Sequence, residues 1–281
     1  MILVTGATGT VGREVVAQLL AAGQRFRALT RDPSKARLDP KVELVSGDLA
    51  RPETLPKALE GADHVFLLAA GPELGAQEQS LARAAKKAGV QHIVKLSVVG
   101  AGDPKPTTVA SWHAAGEKAI QAEGIPWTFL RPTFFMSNAA SWAGMVKGQG
   151  KVFGAYGDGK FAPIHPRDIA AVAVQALTSV GHEQKVYDLT GPQALSVAEQ
   201  VRVLSEAAGR SIEYVPVPEA GARQGMEQAG LPPLLIQGLL EFAAWVRRGE
   251  AAEVLPTVEQ VTGRKPLTFV DWARENAGLF R

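Results

Sequence analysis

Three glycines stand at equal intervals near the start of the chain, Gly6, Gly9 and Gly12, in the run V-T-G-A-T-G-T-V-G. The apolar triplet Ile2 to Val4 precedes them, and Val11, Val15, Val16, Leu19 and Leu20 follow at helical spacing. A glycine turn between a strand and a helix is suited to hold a pyrophosphate. Gly6 permits the tight turn, Gly9 lets backbone N–H groups approach the phosphates, and Gly12 lets the helix pack against the strand. Thr8, Thr10 and Val11, set among these glycines, are expected in the same cradle. The spacing predicts a dinucleotide site.

The next phrase bears on which dinucleotide. Sites specific for NAD place a carboxylate about 20 residues beyond the glycines, to bond the ribose 2′-hydroxyl. Here the chain reads A-L-T-R-D-P-S-K, with Thr30 and Arg31 in that neighbourhood. Arg31 can meet a 2′-phosphate through a forked, charge-assisted bond, with Lys35 adding charge. Such a bond is worth roughly 1.5–3 kcal/mol, so NADP is expected over NAD. Asp32 opposes this unless its carboxylate points away, and Arg31 has an alternative reading as a solvated loop charge. Further on, V-S-G-D-L places Asp48 and Leu49 after the third strand, where a carboxylate can accept from an adenine amino group. Asp48 reads equally as the cap of a helix beginning near Pro52. Ala69 and Ala70 end the fourth strand with side chains small enough for a cofactor to lie against.

The elements that must position these residues alternate along the chain. Strands are expected at Ile2–Thr5, Phe26–Thr30, Val42–Ser46, His64–Ala70, His92–Ser97 and Trp127–Arg131, and another at Val186–Leu189. Helices are expected near Pro52–Glu60, Gly75–Ala88, Ser111–Glu123, Arg167–Thr178 and Ser196–Ala208. Ser196 and Glu199 form a capping box for the last of these. Apolar strands between helices predict an α/β, Rossmann-type doubly wound parallel sheet, with a smaller, mostly helical C-terminal lobe. The boundaries expected are 1–132 with 162–191 for the dinucleotide domain, and 133–161 with 192–281 for the lobe.

Composition removes several classes of function. A net charge of +2 over 281 residues argues against nucleic acid or a membrane surface as partner. The absence of cysteine excludes disulfides and thiolate chemistry, and five scattered histidines lack metal-ligand spacing. No secretory signal is legible and no apolar run reaches a membrane span, so the protein is expected to be cytoplasmic.

Taken in order, these phrases resemble the NmrA-like family of atypical short-chain dehydrogenases. The likeness includes V-T-G-A-T-G-T-V-G, T-R-D-P-S-K-A, G-V-Q-H-I-V-K-L-S-V-V-G-A, G-I-P-W-T-F-L-R-P-T-F-F-M-S-N and P-I-H-P-R-D-I-A. It runs over nearly the whole chain and is greatest to the NADPH-dependent quinone oxidoreductases and triphenylmethane reductases of that family. The resemblance implies an NADPH-dependent reductase of a quinone or similar conjugated acceptor. The family also includes non-catalytic redox-sensing regulators that bind a partner protein, which is the alternative.

Main-branch short-chain dehydrogenases carry Tyr and Lys four apart on a helix. The string Tyr156-Gly-Asp-Gly-Lys160 has that spacing, but its two glycines argue against a helix and it follows the sixth strand. The helix in the corresponding place reads S-W-H-A-A-G-E-K, which puts His113 and Glu117 at the Tyr and Lys positions. The resemblance implies that His113 donates a proton or bonds the acceptor, and that Ser97 binds substrate; a helix residue touching core and a strand-end hydroxyl bonding backbone are the plain alternatives. Glu117 is assigned to the cofactor ribose, with pairing to neighbours of Lys118 equally open, and Thr133 is placed with the cofactor set. After Pro132, the residues Phe134, Phe135, Met136, Asn138 and Trp142 suit a flat apolar or aromatic acceptor, unless they pack a core. The apolar helix Pro233–Arg248 is expected to cover the lobe or to form a homo-oligomer contact.

Overall fold

The computed structural model describes all residues from Met1 to Arg281. They divide into two units, Met1–Pro132 with Pro166–Asp188, and Thr133–His165 with Leu189–Arg281.

The first unit is built on a seven-stranded parallel sheet. Its strands are β1 (Ile2–Val4), β2 (Phe26–Thr30), β3 (Glu43–Ser46), β4 (His64–Leu67), β5 (His92–Leu96) and β6 (Trp127–Pro132), with Lys185–Leu189 as the seventh. The spatial order β3-β2-β1-β4-β5-β6 ends on that seventh strand, so the order reverses between β1 and β4. Val4 pairs with Ala28 on one side and Phe66 on the other. In such sheets ligands bind beyond the carboxyl ends of the strands, at the reversal.

Helix α1 (Thr10–Ala21) buries Val11, Val15, Val16 and Leu19, the stripe expected from spacing. It packs beside the helix Pro166–Thr178. The other apolar cluster joins α2 (Leu55–Leu59), α3 (Leu74–Ala88) and α4 (Thr108–Ala122) to the strands through Leu55, Leu59, Leu81, Ala85, Ile120 and Phe129. Near-continuous apolar strands are therefore covered on both faces, as a parallel sheet requires.

Three elements differ from expectation for local reasons. β4 stops at Leu67 rather than Ala70 because the Thr5 hydroxyl accepts from the Leu68 N–H and donates to the Leu68 carbonyl, replacing the ladder there. Pro52–Glu60 is a 3₁₀ turn, Pro52–Thr54, followed by the single-turn α2, whose second residue is Pro56. Proline has no N–H to donate and fits only the first turn of a helix, so the two pieces cannot be one. Helix α4 begins three residues earlier than expected, at Thr108, because the Thr107 hydroxyl accepts from the Ala110 N–H.

The second unit has its own core, with Phe161, Val201, Leu204, Val246, Phe269, Trp272 and Phe280. Besides helices it contains two small sheets, Lys151–Gly154 parallel to Glu213–Pro216 and Lys160–Phe161 antiparallel to Leu195–Ser196. The capping box forms as expected: Ser196 Oγ accepts from the Glu199 N–H while the Glu199 carboxylate accepts from the Ser196 N–H. Tyr156 to Lys160 is a turn into a strand. Gly157 is left-handed, a Cβ on Gly159 would lie 2.2 Å from the Val246 carbonyl oxygen, and Lys160 pairs with Glu199. No helix of the protein is long and apolar enough to cross a membrane.

At the amino ends of β4 and β5, His64 and His92 meet edge to face with ring centroids 6.0 Å apart. The Thr128 hydroxyl gives its one proton to the His182 carbonyl, so it accepts from His92 Nε2, which must carry the hydrogen. Burial, with His64 next, pushes the His92 pKa down to about 4. The unfolded state then binds a proton near pH 6.5 that the folded state refuses until about pH 4. Stability is thus full above pH 6.5 and falls as pH drops through that window, by on the order of 3 kcal/mol from His92 alone. Denaturant titrations at several pH values should show this slope, and His92→Gln should flatten it.

Candidate functional site

The turn after β1 has the geometry a phosphate cradle needs. Gly6 adopts φ +62°, and a Cβ there would sit 2.8 Å from Leu68 Cδ2. A Cβ on Gly12 would lie 2.0 Å from the Gly6 carbonyl oxygen, so only glycine lets α1 pack this close to the turn. Gly9 is the N-cap of α1, with no side chain over the helix end, and Thr8, Gly9 and Thr10 are exposed. Val11 points the other way, into the core. The first N–H groups of α1 are left facing outward, a ready partner for an anion.

A cavity of about 690 Å³ opens beside this turn. Of the expected cofactor residues, its wall brings together Gly6, Thr8, Arg31, Lys35, Asp48, Leu49, Ala69 and Ala70. It also contains two cations the sequence reading missed, Arg13 and Arg37, and Gln77 from α3. Arg13 is held in place by bonds from its Nε to the Thr8 carbonyl and from its Nη1 to the Arg37 carbonyl, both 2.8 Å. The charge signal was available in the run R-D-P-S-K-A-R, which continues to Arg37. Four cations and two carboxylates line the wall, leaving it net positive by two.

Asp32 is turned onto its own loop. Its Oδ1 accepts from the Ser34 N–H (3.0 Å) and Ser34 Oγ (2.6 Å), and Oδ2 pairs with Lys35 at 3.1 Å. These bonds, the Ser34 hydroxyl foremost, lower its pKa and keep it ionised as the cap of the turn Pro33–Lys35. Arg31 makes no ion pair within the chain. Asp48 caps no helix: its Oδ1 accepts from the Ala50 N–H, stiffening the loop at the cavity. The cradle, the positive wall and the small residues after β4 fit a dinucleotide.

Deeper in the same unit lies a second set of polar groups. Lys95, next to the last residue of β5, and Glu78, on α3, are both 0% exposed and paired at 2.8 Å. The Lys95 ammonium also donates to the Leu96 carbonyl (3.3 Å) and to His113 Nδ1 (3.1 Å). An ammonium only donates, so Nδ1 is the acceptor and the neutral ring carries its hydrogen on Nε2. Burial, and then the ammonium beside it, pushes the His113 pKa down to about 3. Burial raises Glu78 to about 7 against the pull of Lys95, and lowers Lys95 against the pull of Glu78.

Ser97 and Glu117 are partners of each other. Ser97 Oγ donates to Glu117 Oε1 at 2.6 Å, and Arg131 grips the same carboxylate through Nε (2.9 Å) and Nη2 (2.6 Å). Glu117 is buried in this clamp and does not line the cavity. The Ser97 hydroxyl is committed to that clamp. Thr133 is buried and donates to the Ala162 carbonyl. In the second unit Met136 is 1% exposed and belongs to the core, whereas Phe135, Asn138 and Trp142 are half-buried. Phe134 stacks on Phe242 with centroids 4.6 Å apart, as core packing.

Glu78 and Lys95 are the buried charges that sequence reading passed over. On α3 the buried positions are Leu74, Glu78, Leu81, Ala82 and Ala85, so Glu78 occupies a place on the apolar stripe. Lys95 is likewise the one charge inside an otherwise apolar strand segment, I-V-K-L. A charge at a core position was the signal.

The chain matches the model of a family described as NAD(P)H-binding over residues 6–180. It is 43% identical to the NAD(P)H azoreductase of Xenophilus azovorans, over 100% of this chain and 99% of that protein. It is 41% identical to the (4-alkanoyl-5-oxo-2,5-dihydrofuran-3-yl)methyl phosphate reductase of Streptomyces griseus subsp. griseus, again over 100% and 99%. Among solved structures it is similar to the NADPH-dependent quinone oxidoreductase of Escherichia coli complexed with NADPH. The TM-score there is 0.88 at 28% identity, over 98% of this chain and 99% of the other.

Gly116 makes the buried pair possible. A Cβ there would lie 1.6 Å from Glu78 Oε2, so α4 carries a glycine mid-helix at a cost of about 1 kcal/mol to admit the carboxylate. Gly116→Ala should therefore destabilise the protein by about 1–3 kcal/mol despite its better helix propensity. Gly144→Ala, on an exposed helical site with nothing within 4 Å, should stabilise it by up to about 1 kcal/mol. Thermal unfolding of the two variants checks the opposite signs.

Proposed function

The chain belongs to the NAD(P)H-binding family and is an NAD(P)H-dependent oxidoreductase, and from that premise we propose that it uses NADPH to reduce a conjugated acceptor, quinones first among them. The observation that carries the acceptor class is His113, a neutral imidazole held with its hydrogen on Nε2. Such a ring donates a hydrogen bond to an oxygen or nitrogen that is gaining negative charge, but by itself it is no strong acid. Acceptors whose reduced anion is delocalised, as a quinone's is, ask for little more. The named substrates of the relatives include an azo group, an unsaturated furanone and a quinone, and each is a conjugated acceptor.

The preference for NADPH rests on the wall around Arg31. The opposing carboxylate of Asp32 is neutralised by its own turn and by Lys35, and Arg31 is left without a partner to meet a 2′-phosphate. Arg13 and Arg37 add to the attraction. The Gly6–Gly12 turn holds the pyrophosphate, and Ala69 and Ala70 give the cofactor room beside the strand ends. When bound, the dihydronicotinamide supplies the hydride. The chain's part is to hold it against the acceptor, exclude water and offer His113 Nε2–H to the developing anion.

Purified protein should oxidise NADPH when given benzoquinone. The absence of oxidation across a panel of quinones and azo dyes, with cofactor binding intact, would sink the acceptor reading. Arg31→Ala should raise the KM for NADPH by about 10- to 100-fold while shifting that for NADH by less than about threefold. Equal losses for both would mean that Arg31 meets no 2′-phosphate.

A further inference from the structure

Lys95 does nothing for the sheet that a leucine would not do more cheaply. Burying an ammonium and a carboxylate costs several kcal/mol per ion before their attraction is counted, and an apolar pair avoids that cost. The pair is nonetheless built with care. Glycine is placed at 116 to admit Glu78, and the three ammonium hydrogens go to Glu78 Oε1, the Leu96 carbonyl and His113 Nδ1. The third bond links a buried ammonium to a ring that is partly exposed near the carboxyl end of β5.

We propose that Glu78, Lys95 and His113 form a proton relay, in which Lys95 resupplies through Nδ1 the proton that His113 gives from Nε2 to the acceptor. The proposal rests on the reductase reading above and extends the acceptor class to atoms that must gain a full proton, such as an azo nitrogen.

The proton balance closes. Hydride from the dihydronicotinamide leaves the acceptor as an anion. The Nε2–H bond breaks as the new acceptor–H bond forms, and the Nδ1–H bond forms as a Lys95 Nζ–H bond breaks. The imidazole stays neutral throughout and only exchanges tautomers, so no imidazolate arises. Lys95 is left as a neutral amine. After product leaves, water at the exposed edge returns a proton to Nε2, and the Nδ1 proton goes back to Lys95.

Lys95 is faced by Glu78 from α3, His113 and Glu117 from α4, and Arg131 from β6. Glu117 is consumed by Arg131 and Ser97, which leaves Glu78 as the anchor for the ammonium. Glu78 uses only Oε1 for this; Oε2 has no hydrogen-bond partner. Burial makes Lys95 a readier donor than a surface lysine. Lys95 and Glu78 are positioning residues, and His113 is the group that meets the acceptor.

The test reads the ring directly. Long-range proton–nitrogen NMR of the whole protein, with the His113 signal assigned through His113→Gln, should show Nε2 protonated, Nδ1 bare and no titration above pH 5. Lys95→Met alone strands a buried carboxylate, so the double variant Lys95→Met/Glu78→Gln is used. In it the tautomers should mix. With NADPH, its kcat for an azo dye should fall about a hundredfold, the low end of what a positioned acid contributes. With benzoquinone, whose phenolate water protonates, kcat should fall less than about threefold. A cationic or Nδ1–H ring in the wild type overturns the relay, as do equal losses for the two acceptors, no loss, or a wild type inactive on azo dyes. The spectrum is recorded without acceptor, so it separates failure of the relay from failure of the reductase reading, which would show as no NADPH oxidation with any acceptor.

Discussion

One buried ion pair governs how the interior of the first unit is arranged. Lys95 and Glu78 cannot leave each other without exposing a lone charge to an apolar core, a loss of about 3–5 kcal/mol. That penalty ties β5 to α3. The carboxylate in turn dictates a glycine at 116, which brings α4 against α3. The ammonium then dictates which nitrogen of His113 holds hydrogen. Register of two helices and chemistry of one imidazole follow from a single contact.

The cofactor side of the unit obeys a different constraint, the approach of backbone to backbone. At Gly6 and Gly12 any side chain would collide with the turn or the strand beneath it, so the helix can begin where the strand ends. This leaves α1 with unmet N–H groups at a cavity whose wall is net positive. Anion binding and helix packing are satisfied by the same three glycines. The cradle follows β1 and the buried pair holds β5, with β4 between them, so both stand on one sheet.

Local patterns explain why so much of the fold was legible. The stripe Val11, Val15, Val16 and Leu19, the capping box of Ser196 and Glu199, and the apolar strand runs are each decided within a few residues. Where reading failed locally, a side chain had replaced backbone: Thr5 ends β4, and Thr107 starts α4 early. In the site, Gly6, Arg31 and Asp48 reach the cavity because they follow strand ends in order. The partners of Glu117 and Thr133, Arg131 and the Ala162 carbonyl, lie 14 and 29 residues away and could not be read from spacing. Spacing on one helix says which face a residue shares and nothing about what stands opposite.

By itself, the sequence determined that a strand, a glycine turn and a helix would present backbone N–H groups to a pyrophosphate, since steric limits on φ and packing act between neighbours. It also determined the doubly wound sheet, because apolar period and turn residues are local. Only the tertiary structure decided that Asp32 spends its charge on Ser34 and Lys35, that Glu117 is locked by Arg131, and that Lys95 reaches across 18 residues to set the hydrogen of His113. Those outcomes depend on burial, which raises the cost of an unpaired charge and so selects its partner, and burial exists only once the elements have packed.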